Sequence, residues 1–201
     1  MTAVQPSNLS AETVVAFLAD IFARRGGEEY LGEPVTMAEH MLQGAHLAEQ
    51  QGADEPTVAA ALLHDIGHFT SEFGTFAMDD TVDRHHEDAG AAVLGPFFPA
   101  GVIEAIRGHV AAKRYLCATD PAYFAELSAA SVHSLALQGG PMSPAEVEAF
   151  ARTPNLATIL RVRRLDDAGK IAGMATPGFE HYAPLLQRLS LIHISEPTRR
   201  S

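Results

Sequence analysis

Two adjacent ionisable residues interrupt an otherwise apolar segment, AALLHDIGHF, at residues 60–69. His64 and Asp65 follow a run of alanine and leucine that predicts a buried helix. Because burying an unpaired charge is costly, such groups normally pair with one another, accept several hydrogen bonds or bind a metal ion. The rest of the sequence has to decide among these possibilities.

Three further histidines, His40, His86 and His109, lie on other predicted helices, and helical bundles build metal sites from inward-facing side chains of several helices. Adjacent residues on a helix point about 100° apart, so His64 and Asp65 reach one cluster only at a wide face. This favours two metal ions with Asp65 as a bridge. A single histidine on an apolar helix is more often a satisfied core residue, so the combination carries the argument.

The composition narrows the classes of function. A net charge of −11 over 201 residues argues against nucleic-acid binding, which needs a basic surface. No apolar run is long enough to cross a membrane and no signal peptide is visible, so we expect a cytoplasmic protein. Cys117 is the only cysteine, which excludes an intrachain disulfide and a thiolate cluster. Nitrogen and oxygen ligands suit iron, manganese, magnesium or zinc.

Helical periodicity dominates the sequence and no alternating strand is convincing, so the prediction is an all-α fold. Ser10 is expected to cap a first helix that ends at Gly26, and Pro99 to lie in the first turn of a later one. Further helices are predicted in TMAEHMLQGAHLAEQQGA, EPTVAAALLHDIGHF and HEDAGAAVLGPFF, and over residues 120–138 and 143–168, the last broken near Thr153 and Pro154.

Residues 1–189 are expected to form a single domain. From residue 190 the sequence SLIHISEPTRRS abruptly replaces an amphipathic helix and resembles a translated cloning or sequencing adapter. We therefore treat residues 190–201 as a non-native tail and exclude His193 from every argument about a site.

The pattern H…HD…D, formed by His40, His64, Asp65 and Asp166, resembles the signature of the HD-domain superfamily. A closer resemblance is carried by YLGEPVTMAEH, AALLHDIGH, GHVAAKRYL, QGGPM and LDDAGK. These segments are similar to mixed-valent diiron oxygenases that cleave organophosphonates, in particular those acting on 2-amino-1-hydroxyethylphosphonate. The resemblance implies an HD-domain helical bundle with a dinuclear metal site in its core.

The resemblance implies an Fe(II)/Fe(III) pair with Asp65 as the bridging carboxylate and O2 as co-substrate. His85 is the less suitable of two adjacent histidines, since the family's ligand is followed by Glu and then by Gly-Ala, as in HEDAGA. The implied ligands are His40, His64, Asp65, His86, His109 and Asp166.

Residues of the substrate pocket follow from the same resemblance. His68 and Lys113 match phosphonate-binding positions, and Ser131 and Gln138 match polar pocket positions. Plainer explanations exist for two of these, because Lys113 could be a solvated lysine and His68 follows a plausible helix stop.

Tyr30 and Glu33 match a pair that senses the amino end of the substrate. In this pair the carboxylate meets the ammonium, and the tyrosine occupies an iron position until substrate displaces it. Such a pair points to a primary amine, although Glu33 could instead simply begin a helix, where an acidic residue is favourable.

The resemblance implies oxidative cleavage of a 1-hydroxyphosphonate, converting 2-amino-1-hydroxyethylphosphonate to glycine and phosphate. The main alternative is an HD-type metal-dependent phosphohydrolase, in which a metal-activated water attacks a phosphate ester. A third is a ligand-binding HD module without catalysis, which the complete ligand set disfavours. The Tyr30 and Glu33 pair favours the oxygenase, since hydrolysis does not require it. The oligomeric state is left open.

Overall fold

The computed structural model describes residues 9–30, 32–70, 83 and 85–195. Over these residues the chain is helical, and its extended pairing is limited to an isolated bridge between Glu29 and Thr36. No helix in the described part is long and apolar enough to cross a membrane. The all-α prediction is confirmed. The helices are α1 (Val14–Arg25), α2 (Met37–Gln50), α3 (Glu55–Leu63), α4 (Gly67–Thr70), α5 (His86–Leu94), α6 (Ala100–Thr119), α7 (Pro121–Glu126), α8 (Ala129–Leu137), α9 (Pro144–Phe150), α10 (Leu156–Ala168) and α11 (Phe179–Ser195).

Most predicted helices are present, with corrections at their ends. Helix α1 begins at Val14 with Thr13 at its N-cap, so the prediction of Ser10 as the cap is wrong. A turn precedes the helix, in which the Val14 N–H donates to the Ser10 carbonyl over 2.9 Å. Pro99 lies at the N-cap of α6 rather than in its first turn.

The two late segments are both divided. Residues 120–138 form α7 and α8, because the Ser128 side chain accepts from the Ser131 N–H and starts a new helix. The predicted break near Pro154 is confirmed between α9 and α10. Helix α11 extends through the segment predicted to be a non-native tail as far as Ser195, and the origin of that tail stays a prediction.

The segment that contains His64 and Asp65 is not one continuous helix. Helix α3 ends at Leu63. The Ile66 N–H then donates to the Leu63 carbonyl and the His68 N–H to the Asp65 carbonyl, and these i to i−3 hydrogen bonds form a tighter turn that leads into α4. The expectation that His64 and Asp65 project from one regular helix is therefore wrong. They lie at its end, in the turn between α3 and α4.

Helix α3 is the centre of the bundle. Every residue from Thr57 to Leu63 is buried, as expected for a helix that is apolar on all sides. Helices α2, α6, α10 and α11 pack around it. Because α3 is enclosed, the turn at its C-terminal end opens into the protein interior.

A close approach between α4 and α5 positions that turn. A Cβ atom on Gly67 would lie 1.8 Å from the His86 carbonyl oxygen and 2.7 Å from the Gly90 nitrogen. Since both neighbours are backbone atoms, no side-chain rotation could relieve the overlap.

We expect Gly67→Ala to lower the free energy of unfolding by about 2–3 kcal/mol, because the two helices must separate. Urea unfolding measures the change. The control is Gly101→Ala in α6, where a Cβ atom would meet nothing within 4 Å. That variant should be neutral or more stable by up to about 1 kcal/mol. Equally small effects of both substitutions would contradict the close packing.

Candidate metal centre

The six residues predicted as metal ligands converge at the C-terminal end of α3. Five of them are at most 2% exposed, and the side chain of the sixth, His86, at the start of α5, is 12% exposed. The neighbouring His85 points away, since its side chain is 67% exposed. The six are His40 on α2, His64 and Asp65 in the turn after α3, His86 on α5, His109 on α6 and Asp166 on α10.

The two oxygens of the Asp65 carboxylate face different pairs of histidines. Oδ2 lies 3.4 Å from His40 Nε2 and 3.5 Å from His64 Nε2. Oδ1 lies 3.1 Å from His86 Nε2 and 3.4 Å from His109 Nε2. One carboxylate thus stands between two groups of imidazole nitrogens, which is the arrangement needed to bridge two cations.

Each group gains one further side chain. Asp166 Oδ1 lies 3.4 Å from His40 Nε2 and 3.7 Å from His64 Nε2. On the other side, His68 Nε2 is 4.0 Å from Asp65 Oδ1, and its ring stacks on His86 with centroids 4.1 Å apart. The structure therefore brings His68, predicted as a phosphonate-binding residue, to the edge of the metal cluster.

Three of the histidines are oriented through their other ring nitrogen. A carbonyl oxygen only accepts hydrogen bonds, so an Nδ1 atom in contact with one carries the proton and leaves Nε2 with a lone pair. Such contacts are standard for metal-bound histidine. They join His40 Nδ1 to the Gly169 carbonyl at 2.9 Å, His64 Nδ1 to the Ala61 carbonyl at 2.9 Å and His109 Nδ1 to the Ile106 carbonyl at 2.6 Å.

The Nε2 atoms of the cluster then meet in pairs. His40 and His64 approach to 3.0 Å, and His86 and His109 to 3.1 Å, each distance joining two Nε2 atoms. Two bare lone pairs at such a distance repel each other, whereas a cation shared between them is stabilised. The geometry fits nitrogen ligands of metal ions.

The charges favour cations at the same place. Burial alone would raise the pKa of Asp65 and of Asp166, but nearby positive charge holds both well below their usual value, chiefly at His64 for Asp65 and at Arg163 for Asp166. Burial opposes protonation of His64, yet the two carboxylates raise its pKa to about 10, so the site favours a positive charge at His64 Nε2, which a metal ion can supply in place of a proton. Asp65 Oδ2 and Asp166 Oδ1 are buried without a hydrogen-bond donor among the described residues. The nitrogen and oxygen donors therefore fit a hard or borderline metal.

Asp166 is held by a group of residues that sequence reasoning missed. Arg163 Nη1 lies 2.6 Å from Asp166 Oδ2, and the same guanidinium pairs with Asp167 and donates to the Tyr123 hydroxyl over 3.0 Å. Tyr123 in turn donates to Asp167 Oδ2 over 2.6 Å. This network occupies one oxygen of Asp166 and leaves the other for the cluster. The available signal was an arginine three and four residues before two aspartates on one helix.

A pocket opens beside the cluster, and all six residues predicted to bind substrate line it. Polar residues that the sequence did not single out line it too, namely Asp83, Ser134, Arg163 and Lys170. The six predicted residues are Tyr30, Glu33, His68, Lys113, Ser131 and Gln138.

Lys113 is buried in this pocket, so the explanation as a solvated lysine does not hold. Its side chain is 3% exposed and its Nζ donates to Ser134 Oγ over 2.7 Å. Burial, with a contribution from Arg163, lowers the pKa of Lys113 to about 7. Burial, with a contribution from His86, lowers the pKa of His68 to about 3. His68 is thus neutral at physiological pH, while Lys113 is poised to gain or lose its charge.

A tight turn brings Tyr30 and Glu33 together. The Glu33 N–H donates to the Tyr30 carbonyl over 2.9 Å, and Gly32 has a φ of +74°, a conformation that favours glycine. The Tyr30 ring stacks on His40 with centroids 4.0 Å apart, and Glu33 Oε1 accepts from Ser128 Oγ over 2.5 Å. Because α2 begins only at Met37, Glu33 does not simply start a helix.

A helical bundle that encloses a His–Asp cluster defines a metal-binding protein of the all-α class. Residues 37–165 match the HD domain family. A 1-hydroxy-2-(trimethylamino)ethylphosphonate dioxygenase (glycine-betaine-forming) of Leisingera caerulea is 62% identical over 183 residues, which cover 91% of this chain and 93% of the relative. A hydroxymethylphosphonate dioxygenase of Gimesia maris is 44% identical over 160 residues, 78% of each chain. The chain belongs to the HD-domain family and, within it, to the phosphonate oxygenases.

We expect Arg163→Met to lower the free energy of unfolding by about 3 kcal/mol, because it leaves the buried Asp166 carboxylate without its guanidinium partner. The control is Arg152→Met, which breaks an ion pair with Glu148 whose side chains are 70% and 73% exposed. That change should stay within about 0.5 kcal/mol. Chemical unfolding compares the two variants, and similar losses would contradict a structural role for the Arg163 network.

Proposed function

We propose that the protein cleaves the carbon–phosphorus bond of a 1-hydroxyphosphonate with O2, using two iron ions, and releases phosphate. The observation that carries the proposal is the position of the Asp65 carboxylate between two histidine pairs, next to a pocket that contains a buried lysine. The names of both relatives support the reaction class, since each is a phosphonate dioxygenase.

The proposed ligands divide between the two oxygens of Asp65. His40, His64 and Asp166 would hold one iron and His86 and His109 the other, with Asp65 shared. The irons, one Fe(II) and one Fe(III), would supply O2 activation and electron transfer. The protein would supply the fixed nitrogen and oxygen donors, whose orientation is already determined by backbone carbonyls and by Arg163.

The pocket residues would bind and orient the substrate. Lys113 and neutral His68 offer a cation and a ring nitrogen to the phosphonate, and Ser131 and Gln138 offer further polar contacts. Gln138 Oε1 is buried without a hydrogen-bond donor among the described residues, so it can accept one from the substrate. The apolar side chains of Met37, Val110 and Leu137 complete the lining and limit the access of water. The hydroxyl-bearing carbon would thus be fixed against the metal cluster.

We further propose that the substrate carries a cationic nitrogen on its second carbon, in contact with Tyr30 and Glu33. The sequence favoured a primary amine, whereas the relative at 62% identity is named for a trimethylated one. Glu33 Oε1 already accepts a hydrogen bond from Ser128. This oxygen therefore suits an electrostatic contact with a cation better than a further hydrogen bond from an N–H group. A carboxylate beside an aromatic ring suits a quaternary ammonium. We therefore propose 1-hydroxy-2-(trimethylamino)ethylphosphonate as the preferred substrate and the compound with a primary amine as the second candidate.

Iron-loaded protein given the trimethylated substrate and O2 should release phosphate and glycine betaine, and should contain about two irons per chain with the electron paramagnetic resonance signal of a mixed-valent pair. His86→Ala should abolish turnover, because it removes a proposed ligand. The control is His181→Ala, which should keep turnover, because the His181 side chain is half-exposed and lies outside the proposed site. Phosphate release that continues without O2 would indicate the phosphohydrolase instead, and a mononuclear zinc or magnesium site would exclude the diiron mechanism.

The charge on Lys113 predicts a pH dependence. Because the pKa of Lys113 is lowered to about 7, its ammonium is present below that pH and is lost above it. We therefore expect kcat/KM to fall as the pH rises from 6 to 8. In Lys113→Arg the guanidinium stays charged throughout, so the fall should be much weaker. Because the substrate ionises in the same way with the wild type and with Lys113→Arg, any difference between their pH profiles comes from the protein. Superimposable profiles would contradict the role of Lys113.

A further inference from the structure

The side chain of Lys170 already places a cation beside Tyr30 and Glu33. Its Nζ atom lies 3.4 Å from Glu33 Oε1 and 5.7 Å from the centroid of the Tyr30 ring. It also donates to Ser131 Oγ over 3.0 Å, and its side chain is only 11% exposed. A carboxylate next to the face of an aromatic ring is a typical cation site, and here a lysine of the chain itself occupies it.

The backbone that carries Lys170 is fixed from both sides. The Gly169 carbonyl accepts from His40 Nδ1 over 2.9 Å. The side chain of Gln43, which is 1% exposed, donates to the Ile171 carbonyl over 2.8 Å and accepts from the Ile171 N–H over 2.9 Å. Movement at this position is therefore confined to the flexible four-carbon side chain of Lys170.

We propose that Lys170 is the resident counter-cation of the ammonium subsite. It neutralises Glu33 when no substrate nitrogen is present, and it withdraws when a cationic substrate enters. By this exchange it determines how strongly the pocket prefers amine-bearing over amine-free hydroxyphosphonates. The inference rests on the proposed function for the identity of the substrates.

The exchange follows from the charges around Glu33. Its side chain is 7% exposed, and leaving a buried carboxylate without a cation is strongly unfavourable. Two cations against the same carboxylate would repel each other, so a substrate ammonium has to displace Lys170. Asp167 Oδ1, 3.9 Å from Lys170 Nζ, provides a position toward which the lysine can turn while it keeps its contact with Ser131 Oγ.

The two substrate types should therefore respond to Lys170 in opposite directions. An amine-free hydroxyphosphonate leaves Lys170 in place and depends on it to neutralise Glu33. An amine-bearing substrate brings its own cation and competes with Lys170. A residue that simply binds the phosphonate would instead strengthen both.

The test measures binding to iron-loaded protein by calorimetry without O2, so that no turnover occurs. In Lys170→Met, the Kd of hydroxymethylphosphonate should rise about tenfold, because the uncompensated Glu33 carboxylate then repels the phosphonate anion. The Kd of 1-hydroxy-2-(trimethylamino)ethylphosphonate should fall, because its competitor is gone. Lys170→Arg keeps the charge and should retain the wild-type preference. Equal weakening of both ligands, or no change in either, would overturn the proposal.

A second measurement does not depend on the phosphonate reaction. Tetramethylammonium alone should bind Lys170→Met about tenfold more tightly than the wild type, since the variant offers it Glu33 and Tyr30 without a competitor. The double variant Lys170→Met and Glu33→Gln should lose that gain. Thermal unfolding of each variant checks that the fold is kept.

The two measurements separate the two proposals. If neither phosphonate binds but tetramethylammonium behaves as expected, the proposed function fails and the role of Lys170 stands. If tetramethylammonium binds Lys170→Met no better than the wild type, the role of Lys170 is overturned whatever the phosphonates do.

Discussion

The structure depends on keeping the Asp65 carboxylate charged inside the protein. A buried carboxylate is strongly disfavoured unless cations or hydrogen-bond donors surround it. Here four imidazole nitrogens lie within 3.5 Å of its two oxygens, placed so that they can bind cations together with the carboxylate, and they come from α2, α5, α6 and the turn after α3. The bundle can meet this requirement only if these elements end or pass at one point. The enclosed α3 and the close packing at Gly67 bring them there.

Around this carboxylate, four of the other five proposed ligands are held in orientation by a group on the side away from the cluster. Three imidazoles donate to backbone carbonyls, and Asp166 is held by Arg163. Backbone carbonyls of packed helices and a buried guanidinium move little, so the donor atoms keep their directions. The preorganisation of the site therefore comes from the helices as well as from the ligand residues.

The sequence alone predicted most of the cluster, because its members are polar residues within apolar helical segments. It could not predict the end of α3 at Leu63, since AALLHDIGHF is apolar and helix-forming up to Gly67. That break accompanies the contact between Gly67 and the His86 carbonyl, two positions far apart in the sequence. Lys170 and Ser128 were missed for a similar reason. Charged and hydroxyl residues outside helices are usually solvated, and only tertiary packing places Lys170 in the pocket and Ser128 against Glu33.

The metal cluster and the substrate pocket share one short segment of backbone. Gly169 accepts from the ring of His40, and Ile171 is paired with Gln43 one helical turn further along α2. Lys170 lies between them and contacts Glu33. A substrate that moves this lysine therefore acts on a segment that also orients a proposed metal ligand. The hydrogen bonds at Gly169 and Ile171 hold the backbone on both sides of Lys170. Displacement of the lysine is therefore confined to its side chain, and the cluster can keep its geometry while the pocket binds a different substrate.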